Sequence, residues 1–191
     1  MDIEKVKSFF DMYAPSWDEH QVRNEAVIDL ILEKSGVKEG SHILDVATGT
    51  GVLIGDYLKR KARVTGIDIS DEMIRIAKEK YPDVEFICAD AQSCCFEKSF
   101  DVIMIYNAFP HFGEPDRLLE RLTSFLKKGG RLTVAHGMSE EALRKHHSGA
   151  AKDISTELPC KEKLGELMSP YLDVDIMISD DSMYMVSGKR V

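Results

Sequence analysis

The 191-residue sequence has no apolar segment that approaches the length of a membrane span. It also has no run of lysine and arginine with interleaved aromatic residues, and its net charge of -8 argues against a general attraction to nucleic acid. Residues 1–10 carry acidic side chains among few apolar ones, unlike a secretory signal. We therefore expect a cytoplasmic protein with no membrane span and no nucleic-acid partner.

The four cysteines form no C-x-x-C pair: Cys94 and Cys95 are adjacent, Cys160 is isolated, and Cys88 falls in a predicted core strand. This pattern fits reduced, buried thiols in a reducing compartment. With 43% hydrophobic residues and no internal repeat, the chain can bury a sizeable core without disulfides or a structural metal. We predict one compact domain over residues 1–191.

What the sequence does contain is an apolar segment that runs into a glycine turn. Residues 43–46 indicate a buried parallel strand, and Gly49 and Gly51 allow a tight turn with close backbone approach to a ligand. Residues 52–60 then indicate a helix whose N-terminus faces that ligand. The glycines predict a nucleotide-type site but leave its cofactor open, because a nicotinamide enzyme could carry the same turn.

Two acidic residues follow the next two predicted strands. Residues 64–67 end in Asp68, which is placed to accept hydrogen bonds from both hydroxyls of a ribose. Residues 84–88 are followed by Asp90 and Ala91, and Asp90 could accept a bond from an adenine amine. Because ligands lie outside the carboxyl ends of the strands in an open α/β sheet, these tips should line one crevice.

Together these residues resemble the class I S-adenosylmethionine-dependent methyltransferases over nearly the whole chain. Asp45-x-Ala47-x-Gly49-x-Gly51 is similar to the family's first motif, in the variant of quinone-biosynthesis methyltransferases where alanine replaces the usual first glycine. Residues 100–108 are similar to the fourth strand, and residues 126–132 to the turn into the fifth. The resemblance implies a Rossmann-like doubly wound α/β sheet of about seven strands, mostly parallel with a C-terminal antiparallel hairpin, and helices on both faces.

The end of the chain supports this fold independently. Residues 174–178 and 183–189 are apolar-rich and too close together for a helical crossover, so they should pair antiparallel. A dehydrogenase sheet does not usually end in this way. An NAD(P)-dependent oxidoreductase is therefore a distant alternative.

The resemblance implies an enzyme that moves a methyl group from S-adenosylmethionine to an acceptor by in-line displacement and releases S-adenosylhomocysteine. It assigns Asp68 to the ribose and Asp90 to the adenine. The residues expected at the cofactor are Asp45, Ala47, Thr48, Gly49, Gly51, Asp68, Ile69, Asp90, Ala91 and Asn107.

Two further segments are expected at the acceptor. In the resembling family an N-terminal segment, here residues 1–35, folds over the cleft as a helical lid, which makes Tyr13 and Trp17 candidate substrate residues; alternatively, they only anchor the segment to the core. Residues 137–160 are longer and more polar than an ordinary connection, which predicts a substrate loop. His136 follows the fifth strand and is a third candidate at the acceptor.

Catalysis by positioning needs no conspicuous acid or base. If the acceptor must lose a proton, the best placed base is His111, just beyond the fourth strand; the alternative is that it only orders its loop. His136, His146 and His147 form a histidine group, but adjacent residues on a helix point about 100° apart. We therefore predict no metal site.

A small-molecule acceptor is favoured, because the predicted pocket uses short segments and no added domain. The alternatives are a protein or macromolecule methyltransferase and a non-catalytic S-adenosylmethionine-binding regulator. The acceptor atom and the oligomeric state stay open.

Overall fold

The computed structural model describes residues 1–147 and 152–191. The helices are α1 Ile3–Tyr13, α2 Glu25–Lys34, α3 Ile54–Lys59, α4 Asp71–Lys80, α5 Pro115–Ser124, α6 Glu140–His147 and α7 Lys161–Met168. The strands are β1 His42–Val46, β2 Arg63–Asp68, β3 Glu85–Cys88, β4 Phe100–Tyr106, β5 Leu126–His136, β6 Asp173–Ser179 and β7 Tyr184–Lys189. Short 3₁₀ helices cover Ala14–His20, Phe109–His111 and Lys152–Ile154. Within these residues, no helix combines the length and apolar character needed to cross a membrane.

The strands form one sheet in the order β3-β2-β1-β4-β5-β7-β6. The first five strands of the chain pair parallel, whereas β7 pairs antiparallel with both β5 and β6. The predicted Rossmann-like sheet and its C-terminal antiparallel hairpin are confirmed. The second strand of the hairpin inserts between β5 and β6, so β6 forms the edge.

Side chains alternate between the two faces of the sheet, and each face carries its own core. Ile43 packs with α2, α3 and α4, whereas its neighbour Leu44 faces the opposite side with α5 and α7. Burying one such aliphatic side chain is worth about 1.5–3 kcal/mol. Asn24 and Ser70 cap α2 and α4 by accepting backbone N–H groups, and the predicted helices on both faces of the sheet are confirmed.

Three details differ from the sequence prediction. The helix predicted over residues 52–60 begins only at Ile54, after the glycine turn. The segment expected as a turn, residues 126–132, belongs to β5, which bulges so that Phe100 pairs with Leu126 and Val102 with Arg131. The thiols are not buried as expected: Cys88 is exposed on β3, the outermost strand of the sheet, Cys95 and Cys160 are also exposed, and Cys94 is half-buried.

Candidate functional site

A cavity of about 410 Å³ lies at the carboxyl ends of β1 to β4, and side chains of α1 form part of its wall. The segments that follow β1, β2 and β3 bring Gly49, Asp68 and Asp90 to this cavity. Strand ends converge at this edge of a parallel sheet, which is why residues far apart in sequence meet here. The other predicted residues that line it are Trp17, Asp45, Ala47, Thr48, Ile69, Ala91, Asn107 and His111.

The turn after β1 needs three residues in the left-handed region. Ala47, Gly49 and Gly51 have φ of 55°, 56° and 86°. Gly51 lies outside the cavity wall and faces the Tyr81 ring, whose Cε2 would be 3.0 Å from a Cβ at position 51. The second glycine of the motif therefore makes room for packing, and the first is the one at the cavity.

Asp45 lies buried under this turn. Its carboxylate accepts hydrogen bonds from the Thr48 hydroxyl at 2.6 Å and the Tyr57 hydroxyl at 3.0 Å. Burial raises the pKa of Asp45 to about 6, the two hydroxyl donors offset part of that effect, and the nearby charge of Asp68 adds to it. The hydrogen bond from Thr48 to this carboxylate holds the turn in place.

Asp68 ends β2 with its carboxylate at the cavity wall. It accepts the backbone N–H groups of Gly49 at 2.8 Å and Ser70 at 2.9 Å. Burial raises the pKa of Asp68 to about 6, against the lowering effect of these backbone donors. A carboxylate has about four lone-pair sites, so it can also accept bonds from hydroxyl groups in the cavity.

The loop after β3 forms one end of the cavity. The carboxylate of Asp90 accepts the Gln92 backbone N–H at 2.9 Å, which holds the loop in a turn. Ala91 and Phe112 line this end with apolar surface, while Asp90 and Gln92 supply polar edges. A slot of this kind suits a planar heterocycle with polar substituents.

The N-terminal segment is tied to both ends of α4. On α1, the carboxylate of Asp11 accepts the Ser70 hydroxyl at 2.6 Å and the Glu72 backbone N–H at 3.3 Å. After α1, Asp18 accepts the Thr50 hydroxyl at 2.5 Å and pairs with Lys80 at 2.8 Å. The segment contributes to the cavity wall a set of side chains that includes Val6, Phe10, Trp17 and Gln21.

His111 lies between the N-terminal segment and residues 154–155. Its Nδ1 is 3.1 Å from both the Ile154 carbonyl oxygen and the Ser155 hydroxyl, and its ring contacts Phe10 edge-on with centroids 5.1 Å apart. Its ring also lines the cavity. The position is compatible with an ordering role and with a role at the acceptor.

Besides Gly51, two predicted site residues lie away from the cavity. Tyr13 packs on Phe9, with ring centroids 4.5 Å apart. His136 is fully buried at the end of β5, where its ring lies 5.9 Å from that of Tyr184. The structure therefore does not bring His136 to the acceptor region. The side chains of His146 and His147 lie outside the described residues, among which no cluster of three potential metal ligands occurs.

Sequence reasoning missed several residues of the cavity wall. Tyr106 is the clearest case: it directly follows the apolar run 102–105 and is the last residue of β4. An amphipathic ring at a strand tip is a pattern that could have identified it. The others include Val6, Phe10, Gln21, Val52, Met73, Gln92, Phe112 and Arg117.

Comparison with known proteins gives consistent matches. The family profile described as a methyltransferase domain matches residues 43–130. A demethylmenaquinone methyltransferase of Thermotoga maritima is 40% identical over 112 residues, which are 56% of this chain and 47% of that protein. Its counterpart in Renibacterium salmoninarum is 31% identical over 141 residues, 69% of this chain and 58% of the relative. The chain thus spans about half of the length of these relatives.

Among solved structures, a Synechocystis magnesium protoporphyrin IX methyltransferase with bound S-adenosylhomocysteine superposes with a TM-score of 0.76. The match covers all of both chains at 16% sequence identity. At this identity the similarity concerns the fold.

Proposed function

The chain belongs to the class I S-adenosylmethionine-dependent methyltransferases, and on that premise we propose that it transfers a methyl group from S-adenosylmethionine to a small-molecule acceptor. The observation that carries the proposal is Asp68. Its buried carboxylate is fixed by two backbone donors at the centre of the cavity edge, between the tips of β1 and β3. That geometry fits the paired hydroxyls of a ribose.

We propose that the cofactor lies along the row of strand tips. Neighbouring strands are about 4.8 Å apart, so the tips of β3, β2 and β1 make a row about 10 Å long. Along this row we assign the adenine to Asp90 and Ala91, the ribose to Asp68 and Ile69, and the methionine portion to the turn at Gly49. Asp45, Ala47 and Thr48 shape that turn, and Asn107 closes the row at β4.

When bound, S-adenosylmethionine supplies an electrophilic methyl group on a sulfonium. The protein's task is to align acceptor and methyl group and to keep water out, and positioning of this kind contributes about 7–11 kcal/mol. Phe10 and Trp17 cover the cavity from the N-terminal segment, which we propose is a lid. If the acceptor loses a proton, His111 is the candidate to accept it.

We further propose that the acceptor is neutral and aromatic, a quinone in its reduced, hydroquinone form. Two relatives are named as demethylmenaquinone methyltransferases. Among the described cavity residues, the one Lys or Arg side chain is Arg117 on α5, which pairs with Glu114 at 3.0 Å. The β4 side of the cavity thus presents aromatic and amide groups rather than a cationic site for an anionic acceptor.

Two finer assignments complete the proposal. We propose that the predicted substrate loop contributes to the acceptor side through Ile154 and Ser155, which hold His111. The four free thiols support a reducing compartment, so we propose that the protein acts in the cytoplasm. We also propose that residues 1–191 form a single domain, because all seven strands belong to one sheet.

Calorimetric titration with S-adenosylmethionine, S-adenosylhomocysteine and NADH tests the cofactor. We expect saturable binding of the first two only; binding of NADH alone would replace the proposal with an oxidoreductase. Incubation with S-adenosylmethionine and a panel of reduced quinones, followed by detection of S-adenosylhomocysteine, then tests turnover. Tight binding without product across small-molecule and protein acceptors would favour a regulator.

A further inference from the structure

The tip of β4 is fastened to the tip of β5. The Asn107 backbone N–H donates to the Ala135 carbonyl oxygen at 2.9 Å, and the Asn107 side-chain oxygen accepts the Gly137 backbone N–H at 3.0 Å. Asn107 has a φ of 54°, in the left-handed region that asparagine adopts more readily than other non-glycine residues.

Tyr106 directly precedes Asn107, and its ring lies next to Gly137. A Cβ at position 137 would lie 3.3 Å from the ring carbon Cζ and would overlap the hydroxyl itself. The φ of Gly137 is outside the left-handed range, so its backbone conformation does not call for glycine. Among the described contacts, the Tyr106 hydroxyl is therefore the group that leaves no room for a side chain at position 137.

Tyr106 also lies on the side of the cofactor where the acceptor has to enter. In the proposed arrangement the cofactor occupies the tips of β3, β2 and β1, and the next strand in the sheet is β4. The Tyr106 ring lines the cavity at that tip. An acceptor in line with the methyl group would therefore meet this ring.

We infer that the Tyr106 hydroxyl binds an oxygen of the methyl acceptor and that Gly137 is a positioning residue that gives this hydroxyl its place. The inference rests on the proposed function. It deepens that function by naming a group that selects oxygen-bearing aromatic acceptors, since a site built to hydrogen-bond an oxygen discriminates against analogues that lack it.

The chemistry of the phenol fits a donor rather than a base. Burial raises the pKa of Tyr106 above its ordinary value, and the adjacent Asn107 amide offsets part of that effect. The hydroxyl is therefore protonated at neutral pH. It can donate to a carbonyl or phenolic oxygen while the ring packs against the acceptor's face or edge.

The test uses the full chain and a quinone that does not react with thiols, 2,3-dimethyl-1,4-naphthoquinone. Trp17 is the single tryptophan and lines the cavity, so quenching of its fluorescence reports the quinone's Kd in the presence of saturating S-adenosylhomocysteine. Loss of one hydrogen bond in Tyr106→Phe should weaken quinone binding about three- to tenfold. Gly137→Ala should weaken it at least as much when Tyr106 is present.

The double variant separates positioning from general damage. In the Tyr106→Phe background the hydroxyl is gone, so Gly137→Ala should change the quinone's Kd by less than about twofold, a clear departure from additivity. The Kd of S-adenosylhomocysteine should be the same in all variants. Tyr171→Phe removes a phenol away from the cavity and serves as the matched control.

Each outcome has a distinct meaning. Failure of the wild type to bind S-adenosylhomocysteine overturns the proposed function and this inference with it. Cofactor binding without quinone binding, unchanged quinone affinity in Tyr106→Phe, or additive effects of the two substitutions each overturn the inference alone. If Gly137→Ala does not fold, Tyr106→Phe against Tyr171→Phe still decides the role of the hydroxyl.

Discussion

Cofactor affinity should fall as the pH drops through 6, because of Asp68. With a pKa of about 6, this carboxyl is about 90% ionised at pH 7 and about 10% ionised at pH 5. Ribose hydroxyls donate to the ionised form, and the protonated form has lost acceptor capacity. If only the ionised form binds well, affinity falls about tenfold between pH 7 and pH 5, or about 1.4 kcal/mol.

The assay is calorimetry with S-adenosylhomocysteine, which carries no sulfonium charge, in buffers of different ionisation enthalpy. Binding lowers the pKa of Asp68, so protons should be released near pH 6. Asp68→Asn should bind about tenfold or more weakly at pH 7 and show no such pH dependence. Asp45→Asn is the matched variant, because Asp45 also has a pKa of about 6 but is held by Thr48 and Tyr57. Asp45→Asn should therefore retain the tenfold fall in cofactor affinity between pH 7 and pH 5.

A constant affinity from pH 7 to pH 5 in the wild type would refute the reasoning, as would a pH dependence that survives in Asp68→Asn. In the first case the ribose does not use this carboxylate as an ionised acceptor. In the second, another group is responsible for the titration.

Three other predictions concern stability and the lid. Asp11→Ala removes the hydrogen bonds to Ser70 and to the start of α4, so it should lower the unfolding free energy by about 1 kcal/mol and speed hydrogen exchange in α1. Unchanged exchange would show that these bonds do not hold α1 in place. Ala47→Gly relieves a positive φ and should raise the unfolding free energy by about 1 kcal/mol in urea, with Ala62→Gly as the destabilising contrast. Arg131 holds the pKa of Asp175 at about 2, so Asp175→Asn should lower the unfolding free energy at neutral pH. The difference in unfolding free energy between the wild type and this variant should shrink as the pH falls below about 4. A difference that does not depend on pH would contradict this prediction.

The sequence was sufficient for the fold because its strongest patterns are local. The apolar run into Gly49, the acid at Asp68 and the short gap between the last two strands each depend on a few neighbouring residues. Together they specify a parallel sheet with a reversed end. The bulge in β5 was not predictable, because it depends on pairing with Phe100, which is distant in sequence.

The candidate site was harder to predict because a strand-end position gives the edge of the sheet but not the direction of a side chain. His136 shares its strand face with Leu132 and Val134, which pack in the core, and this alternation predicts burial. The role of Gly51 can be recognised only when the position of Tyr81 is known, and the role of Gly137 only when the position of Tyr106 is known. These are contacts between elements, and a single sequence does not encode them in a local pattern.

The place of β7 in the sheet has a consequence for synthesis. Translation makes β6 before β7, yet β6 reaches the sheet only through β7. Until β7 has left the ribosome, the outer edge of β5 keeps its backbone N–H and C=O groups unpaired, and β6 has no neighbour. The nascent chain therefore carries an open sheet edge until β7 has emerged, and during that time this edge is exposed to chaperones or to aggregation.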